Sequence, residues 1–246
     1  MSILPTRLHA ELYSFDTLAG KPGVTGTNDG VSDSAHFSFP VGVVPDPAGN
    51  LYIADFLNHA IRKMTLVGTN WTVTAIAGLP GVADYADGTN SDARFNRPAG
   101  ITIDSAGNLF VAERYNHVIR KLTPSGTNWV VSTIAGLHGA MGGDDGTNDQ
   151  ARFYLPSGIA VDSSNVVYVA DTANFTIRQL TPVGTNWAVT TIAGSVLNFG
   201  FADGLNNGAL FNYPYGIAAS SEGKLYVADS GNNAIREISH AGLDWT

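Results

Sequence analysis

The chain has 246 residues, of which 44 % are hydrophobic and only 14 % charged, with 28 glycines, no cysteine and a formal net charge of -8. That length suits one large domain or two small ones, and the hydrophobic share suffices for a sizeable core. The negative balance disfavours nucleic acid and anionic membrane as partners, since both need a positive field, and the lack of cysteine excludes disulfides, thiolate metal sites and a cysteine nucleophile.

At the start, MSILPTRLHAELYSF holds no apolar run of signal-peptide length, and no stretch of the chain is apolar enough to span a bilayer. The expectation is a soluble protein without a signal peptide, of unassigned compartment; a trimmed extracytoplasmic protein fits equally. Residues 13–20, YSFDTLAG, read as a single strand. Four more strands follow: A (inner) near 41–46, B near 51–55, C near 60–66 and D (outer) near 71–78. Gly-, Asn- and Pro-bearing turns separate them, as in an antiparallel meander. The same set returns twice more at a constant interval. A fourth set supplies A, B and C and then breaks off at Trp245.

The repeat is exact in spacing. Phe37, Phe95, Phe153 and Phe211 are evenly spaced, and Pro40, Pro98, Pro156 and Pro214 keep the same interval. All four tryptophans, Trp71, Trp129, Trp187 and Trp245, share one repeat position. Repeated four-stranded units of this length predict an all-β propeller of four blades. The units run approximately 21–78, 79–136, 137–194 and 195–246, the last completed by 13–20, within one domain over 1–246.

The phrases PAGITIDSAGNLFVAERYNHVIRKL and PYGIAASSEGKLYVADSGNNAIREI resemble NHL repeats. They share a leading Pro-x-Gly, a turn before an apolar strand ending in Ala-Asp or Ala-Glu, then Asn and Ile-Arg. The resemblance implies a propeller. It implies no single activity, because NHL propellers include RNA-binding modules, protein-binding modules and a zinc lyase. The units are longer than a minimal NHL repeat, the addition lying between GTNW and the Pro that opens strand A.

The fourth unit lacks strand D, and 13–20 offers one in the matching phase. An unpaired sheet edge invites aggregation, so pairing the ends is expected. It gives four blades within one chain, or an eight-bladed C2 ring of two chains. Four blades need about 90° each and eight need about 45°. The wedge angle usual for the family therefore favours the dimer.

Asp55, Glu113, Asp171 and Asp229 each close strand B before a tight turn, where a carboxylate accepts backbone N–H groups. Recurrence in every unit points to folding, not catalysis. Arg62, Arg120, Arg178 and Arg236 on strand C are expected to bond carboxylates or carbonyls. Asn58, Asn116, Asn174 and Asn232 suit left-handed turn positions. Asp29, Asp87, Asp145 and Asp203 precede glycines and read as turns, lacking the oxygen spacing of a calcium loop. The tryptophans are expected at the core edge with the indole N–H free.

His9, His36, His59, His117, His138 and His240 are scattered, so the zinc site of the lyase does not carry over. No catalytic residue, cofactor or metal is assigned. Recognition is expected where the copies differ, on the face built by the D–A and B–C connections. Tyr85, Arg114, Tyr115, Phe199, Phe201 and Tyr215 are the candidate binding residues. The expectation is a non-enzymatic module for a protein, peptide or glycan; the alternative is a metal-assisted lyase or hydrolase at the axial mouth.

Overall fold

The computed structural model describes residues 14–241 and 244–245. His9 and Tyr13, the latter expected to begin the N-terminal strand, lie outside the described residues. The first blade contains β1 (Gly30–Val31), β2 (Pro40–Pro45), β3 (Leu51–Asp55), β4 (Ala60–Val67) and β5 (Asn70–Ala77), ordered β1-β5-β4-β3-β2. The second repeats this order with β6 (Gly88–Thr89), β7 (Pro98–Ile103), β8 (Leu109–Glu113), β9 (Val118–Ser125) and β10 (Asn128–Ala135). The third has β11 (Gly146–Thr147), β12 (Ile159–Val161), β13 (Val167–Asp171), β14 (Thr176–Val183) and β15 (Asn186–Gly194). In the fourth, β16 (Pro214–Ala219), β17 (Leu225–Asp229) and β18 (Ala234–Ile238) form a three-stranded sheet. The pair β19 (His240–Ala241) and β20 (Asp244–Trp245) extends beyond it. No described helix is long and apolar enough to cross a membrane.

The chain is thus an all-β propeller arrangement of four blades. The Asp-Gly connections do more than turn. The Gly30–Val31 pair runs antiparallel to the outer strand of its own blade, with Gly30 opposite Val73. Gly88 pairs with Val131 and Gly146 with Val189 in the same way. Each connection then makes one 3-10 turn, such as Asn90–Asp92, before delivering its phenylalanine. Phe95, Phe153 and Phe211 are buried between blades.

Three apolar clusters fill the inter-blade spaces. Their logic is periodic. Tyr52, Ala54 and Ile61 on the first blade meet Phe95, Ile101, Leu109 and Trp129 of the second. Trp129 stands edge-on to Tyr52 at 5.5 Å, and Trp187 repeats this on Phe110 at 5.6 Å. Trp129, Trp187 and Trp245 therefore pack against the preceding blade, more deeply than a core edge, while Trp71 of the first blade is half-buried.

The inner strands approach so closely that only glycine fits between them. A Cβ on Gly42 would lie 2.6 Å from the Ala99 carbonyl oxygen, on Gly100 2.3 Å from Ser157 O, and on Gly158 2.4 Å from Tyr215 O. Gly216 breaks the series, since its nearest atom would be Ala228 Cβ of its own blade at 3.5 Å. Among the described residues, no inner strand lies against it. Residues 14–18 form no strand, and the blades make an open arc. Among the described residues, the expected closure within a single chain is not made. Gly20 is instead tied to the first blade's connection by its N–H to Ser32 O at 3.1 Å.

Replacing Gly100 by Ala will force the Ser157 backbone aside, and backbone yields less readily than a side-chain tip. We expect a loss of about 1–3 kcal/mol, read as a lower urea midpoint at unchanged slope.

Candidate functional site

Each blade is built around one buried ionic cluster. Asp55 accepts from the Ser38 N–H (2.8 Å), the Asn58 amide (2.7 Å) and Arg62 (2.9 Å). Arg62 also donates to the carbonyls of Asn28 (2.9 Å) and His36 (3.1 Å) and to the Asp29 carboxylate (2.7 Å). The pattern recurs with Glu113–Arg120–Asp87, Asp171–Arg178–Asp145 and Asp229–Arg236–Asp203. The flat face of each guanidinium lies over the blade's inter-blade phenylalanine, at 4.9 to 5.3 Å from ring centre. Nε of Arg62, Arg120 and Arg178 has no acceptor, so the ring is its neighbour.

The asparagines do not occupy the left-handed positions expected for them. Those fall one residue later, at His59 (φ 56°), His117 (60°), Phe175 (60°) and Asn233 (54°). Asn58 instead donates to Asp55 and to Gly26 O at 2.7 Å, tying the B–C turn to the preceding connection. Burial pushes the Glu113 carboxyl up to about 7 and Asp171 up to about 6, against the opposing pull of Arg120 and Arg178.

The six candidate binding residues do not form one patch. Tyr85 lies beside the Arg120 guanidinium (5.2 Å), stacks on His138 at 4.2 Å and bonds the Thr133 hydroxyl at 3.0 Å. Phe201 occupies the same repeat position and lies by Arg236 at 5.0 Å. These two rings cover structural arginines. Phe199 leans on Phe175, which also meets Tyr213.

The remaining three converge on the inner strands. Arg114 leaves the turn after β8, bonds the Ser157 hydroxyl of the third blade and lies 5.4 Å from the Tyr215 ring of the fourth. Tyr115 carries a residue that the sequence reading missed. The Arg97 guanidinium sits 4.2 Å from its ring centre and 5.8 Å from that of Phe56. The two arginines are joined through backbone, with Arg114 N–H donating to Arg97 O at 3.2 Å.

Arg97 is itself left-handed at φ 57°, as are its counterparts Phe39, Leu155 and Tyr213, a conformation uncommon outside glycine. Its N–H donates to His59 Nδ1 at 3.1 Å. Leu155 N–H uses His117 Nδ1 in the same way at 3.2 Å. A signal for Arg97 did exist in the sequence. It is the one cation at a repeat position otherwise filled by Phe39, Leu155 and Tyr213. Among the described residues, neither Arg97 nor Arg114 makes an ion pair. Nor do three or more His, Asp or Glu gather there as a metal site. What the arrangement offers is guanidinium N–H donors held by aromatic rings, suited to a carboxylate.

A family model for the NHL repeat matches residues 95–122, 153–180 and 211–238. The chain contains NHL repeats. This NHL chain is 38 % identical over 236 residues to Protein SUPPRESSOR OF QUENCHING 1, chloroplastic, of Arabidopsis thaliana. The match covers 89 % of this chain and 21 % of that protein, so the chain spans about a fifth of its relative. An auxiliary nutrient binding protein from Bacteroides ovatus ATCC 8483 shares the fold at TM-score 0.65 and 22 % identity, over 83 % of this chain and 49 % of that one. A streptogramin B lyase does so at TM-score 0.54 and 17 % identity, over 84 % and 53 %.

Two outcomes follow from this chemistry. Changing Arg120 to Met strands the buried Glu113, and a loss of about 3–5 kcal/mol is expected in chemical denaturation. The histidines give a pH dependence. Burial lowers the His59 and His117 pKa values below 6.5, with Arg97 adding to the first and His138 to the second. The folded state then binds fewer protons than the unfolded one. Their contribution is full above pH 6.5 and is lost as pH falls through the lower folded values. Glu113 acts in the opposite sense, its contribution fading as pH rises from 4.5 towards 7. The difference in stability between the parent and a His59→Gln/His117→Gln variant cancels Glu113. That difference should shrink on acidification below pH 6.5.

Proposed function

We propose that the chain is a binding module that takes a carboxylate-bearing segment of a protein or peptide on the loop face around Arg97 and Arg114. The observation that carries this is the pair itself: two arginines without carboxylate partners among the described residues, steadied by Tyr115 and Tyr215, in a chain of net charge -8. Eight acids are spent on the structural arginines Arg62, Arg120, Arg178 and Arg236, whereas these two cations face the inner strand ends. Aromatic and arginine side chains are the residue types that anchor interfaces. The fold does not choose between binding and catalysis, since it occurs in both a nutrient binding protein and a lyase. The side chains do bear on the choice. Around Arg97 and Arg114 stand Ser157, Tyr115, Tyr215 and Phe56. The His59 imidazole accepts the Arg97 backbone N–H, and among the described residues no carboxylate makes an ion pair with either guanidinium.

Titration calorimetry with blocked acidic peptides and their amidated, uncharged counterparts tests the reading. Binding is expected for the acidic set only and should weaken with salt. An Arg97→Ala/Arg114→Ala variant should bind at least tenfold more weakly, while Tyr85→Ala at the rim should not. Equal affinity for the neutral peptides, or for a neutral glycan, would overturn it.

A further inference from the structure

Large apolar side chains stand uncovered where the third and fourth blades meet on the loop face. Leu197 and Phe199, on the connection SVLNFGFA (195–202), are exposed to 66 % and 65 %, and Tyr213 to 52 %. Their base is Phe175, which is buried and touches both rings, Phe199 at 5.6 Å and Tyr213 edge-on at 5.1 Å. Phe175 belongs to the third blade and the other three to the fourth, so the patch lies between two blades. The exposure belongs to the repeat position itself. Met141 matches Phe199, has a further blade after it, and is 59 % exposed. A Cβ on Gly139, which matches Leu197, would meet nothing within 4 Å.

Folding does not require these side chains. Leu197 is left-handed at φ 57°, in a turn where the other copies use Gly23, Gly81 and Gly139. The turn is otherwise the same: Leu197 N–H donates to Asn174 O at 3.2 Å, as Gly81 N–H donates to Asn58 O at 2.9 Å. Glycine adopts this conformation freely, whereas leucine is strained in it. Phe175 and Tyr213 are left-handed too, at φ 60° and 48°. The stretch 195–202 carries no charge, while its counterparts 79–86 and 137–144 hold Asp84 and Asp144. Strained, uncharged and exposed apolar groups gathered in one place mark a contact surface.

The patch runs on into the arginine pair. Tyr213 leads through Pro214 to Tyr215, whose ring lies 5.4 Å from the Arg114 guanidinium. The Thr172 hydroxyl fixes that stretch by donating to Pro214 O at 2.7 Å. Two residues of chain span at most about 7 Å, so the rings begin close beside the cations. An extended peptide rises about 3.3 Å per residue. It can therefore place one side chain on the guanidinium groups and another, about two to four residues along, on the rings.

We propose that the loop face takes a linear segment of a partner protein in which a carboxylate and a large apolar side chain lie a few residues apart. The carboxylate meets Arg97 and Arg114, and the apolar group packs on Leu197, Phe199 and Tyr213. This rests on the carboxylate reading above and adds the anchor that selects among acidic segments. Attraction to arginine is shared by every acidic peptide and is screened by salt; burial of an apolar group discriminates between them. A neutral glycan would answer only the rings. Two copies of a chain of net charge -8 repel one another, which disfavours self-association on this face.

Calorimetry with three blocked peptides tests this: one with glutamate and phenylalanine three residues apart, one with serine for the phenylalanine, and one with glutamine for the glutamate. The first should bind at least tenfold more tightly than either of the others. Leu197→Gly/Phe199→Thr installs the residue types of Gly23 and Thr25 at the same repeat positions, so circular dichroism should be unchanged. That variant should bind the glutamate–serine peptide as the parent does and lose the preference for phenylalanine. Arg97→Ala/Arg114→Ala should weaken both glutamate peptides. A parent that binds the two glutamate peptides equally, or a Leu197→Gly/Phe199→Thr variant that keeps the preference, would overturn the apolar anchor and leave the arginine reading standing. Failure of both glutamate peptides, or equal affinity for the glutamine peptide, would remove the carboxylate reading and this proposal with it. Self-association of the parent that disappears in the same variant would assign the patch to a second copy and overturn the proposal.

Discussion

The structure depends on one buried ionic cluster per blade. A carboxylate at the end of the second strand, a guanidinium on the third and an amide in the turn between them hold one another within hydrogen-bond distance. Buried charge is tolerable only when paired and hydrogen-bonded. Each member meets that condition through backbone groups of the long connection, which has little regular structure of its own. The cluster thus fastens an extended loop of the same repeat unit onto its sheet. Asp29 and its counterparts extend the grip to the outer strand through its N–H groups or hydroxyls. One polar unit therefore orients four strands and a loop, and apolar packing is left to join blades.

That division of labour explains where variation is allowed. The carboxylate, arginine and asparagine keep their types in every unit except for Glu113, where a longer side chain serves the same partners. Residues at the strand ends facing the axis are free of these duties. There the four copies diverge into Phe39, Arg97, Leu155 and Tyr213, and into Phe56, Arg114, Thr172 and Ser230. A rigid, repeated scaffold thereby presents a non-repeated surface, the usual relation between framework and recognition.

The blades, their order and the structural rows were legible in the sequence because each fact recurs at one constant interval. The binding candidates were legible only in part. Tyr85 and Phe201 looked like free aromatic tips, yet they lie over arginines of their own blades. Arg97 went unnoticed because it sits beside Pro98 at the start of an apolar stretch. Its pairing with Tyr115 arises from backbone hydrogen bonds between two turns. The asparagine row was placed one residue off, since Asn and its neighbour compete for the left-handed position and the amide was needed elsewhere.

By itself, the sequence determined the all-β class and the four blades, because a constant interval repeats the same local structure. Only the tertiary structure decided which tips are spent on packing and where Arg97 and Arg114 meet the rings that steady them. Those depend on distances between blades, and a repeat says what each blade is without saying what meets it.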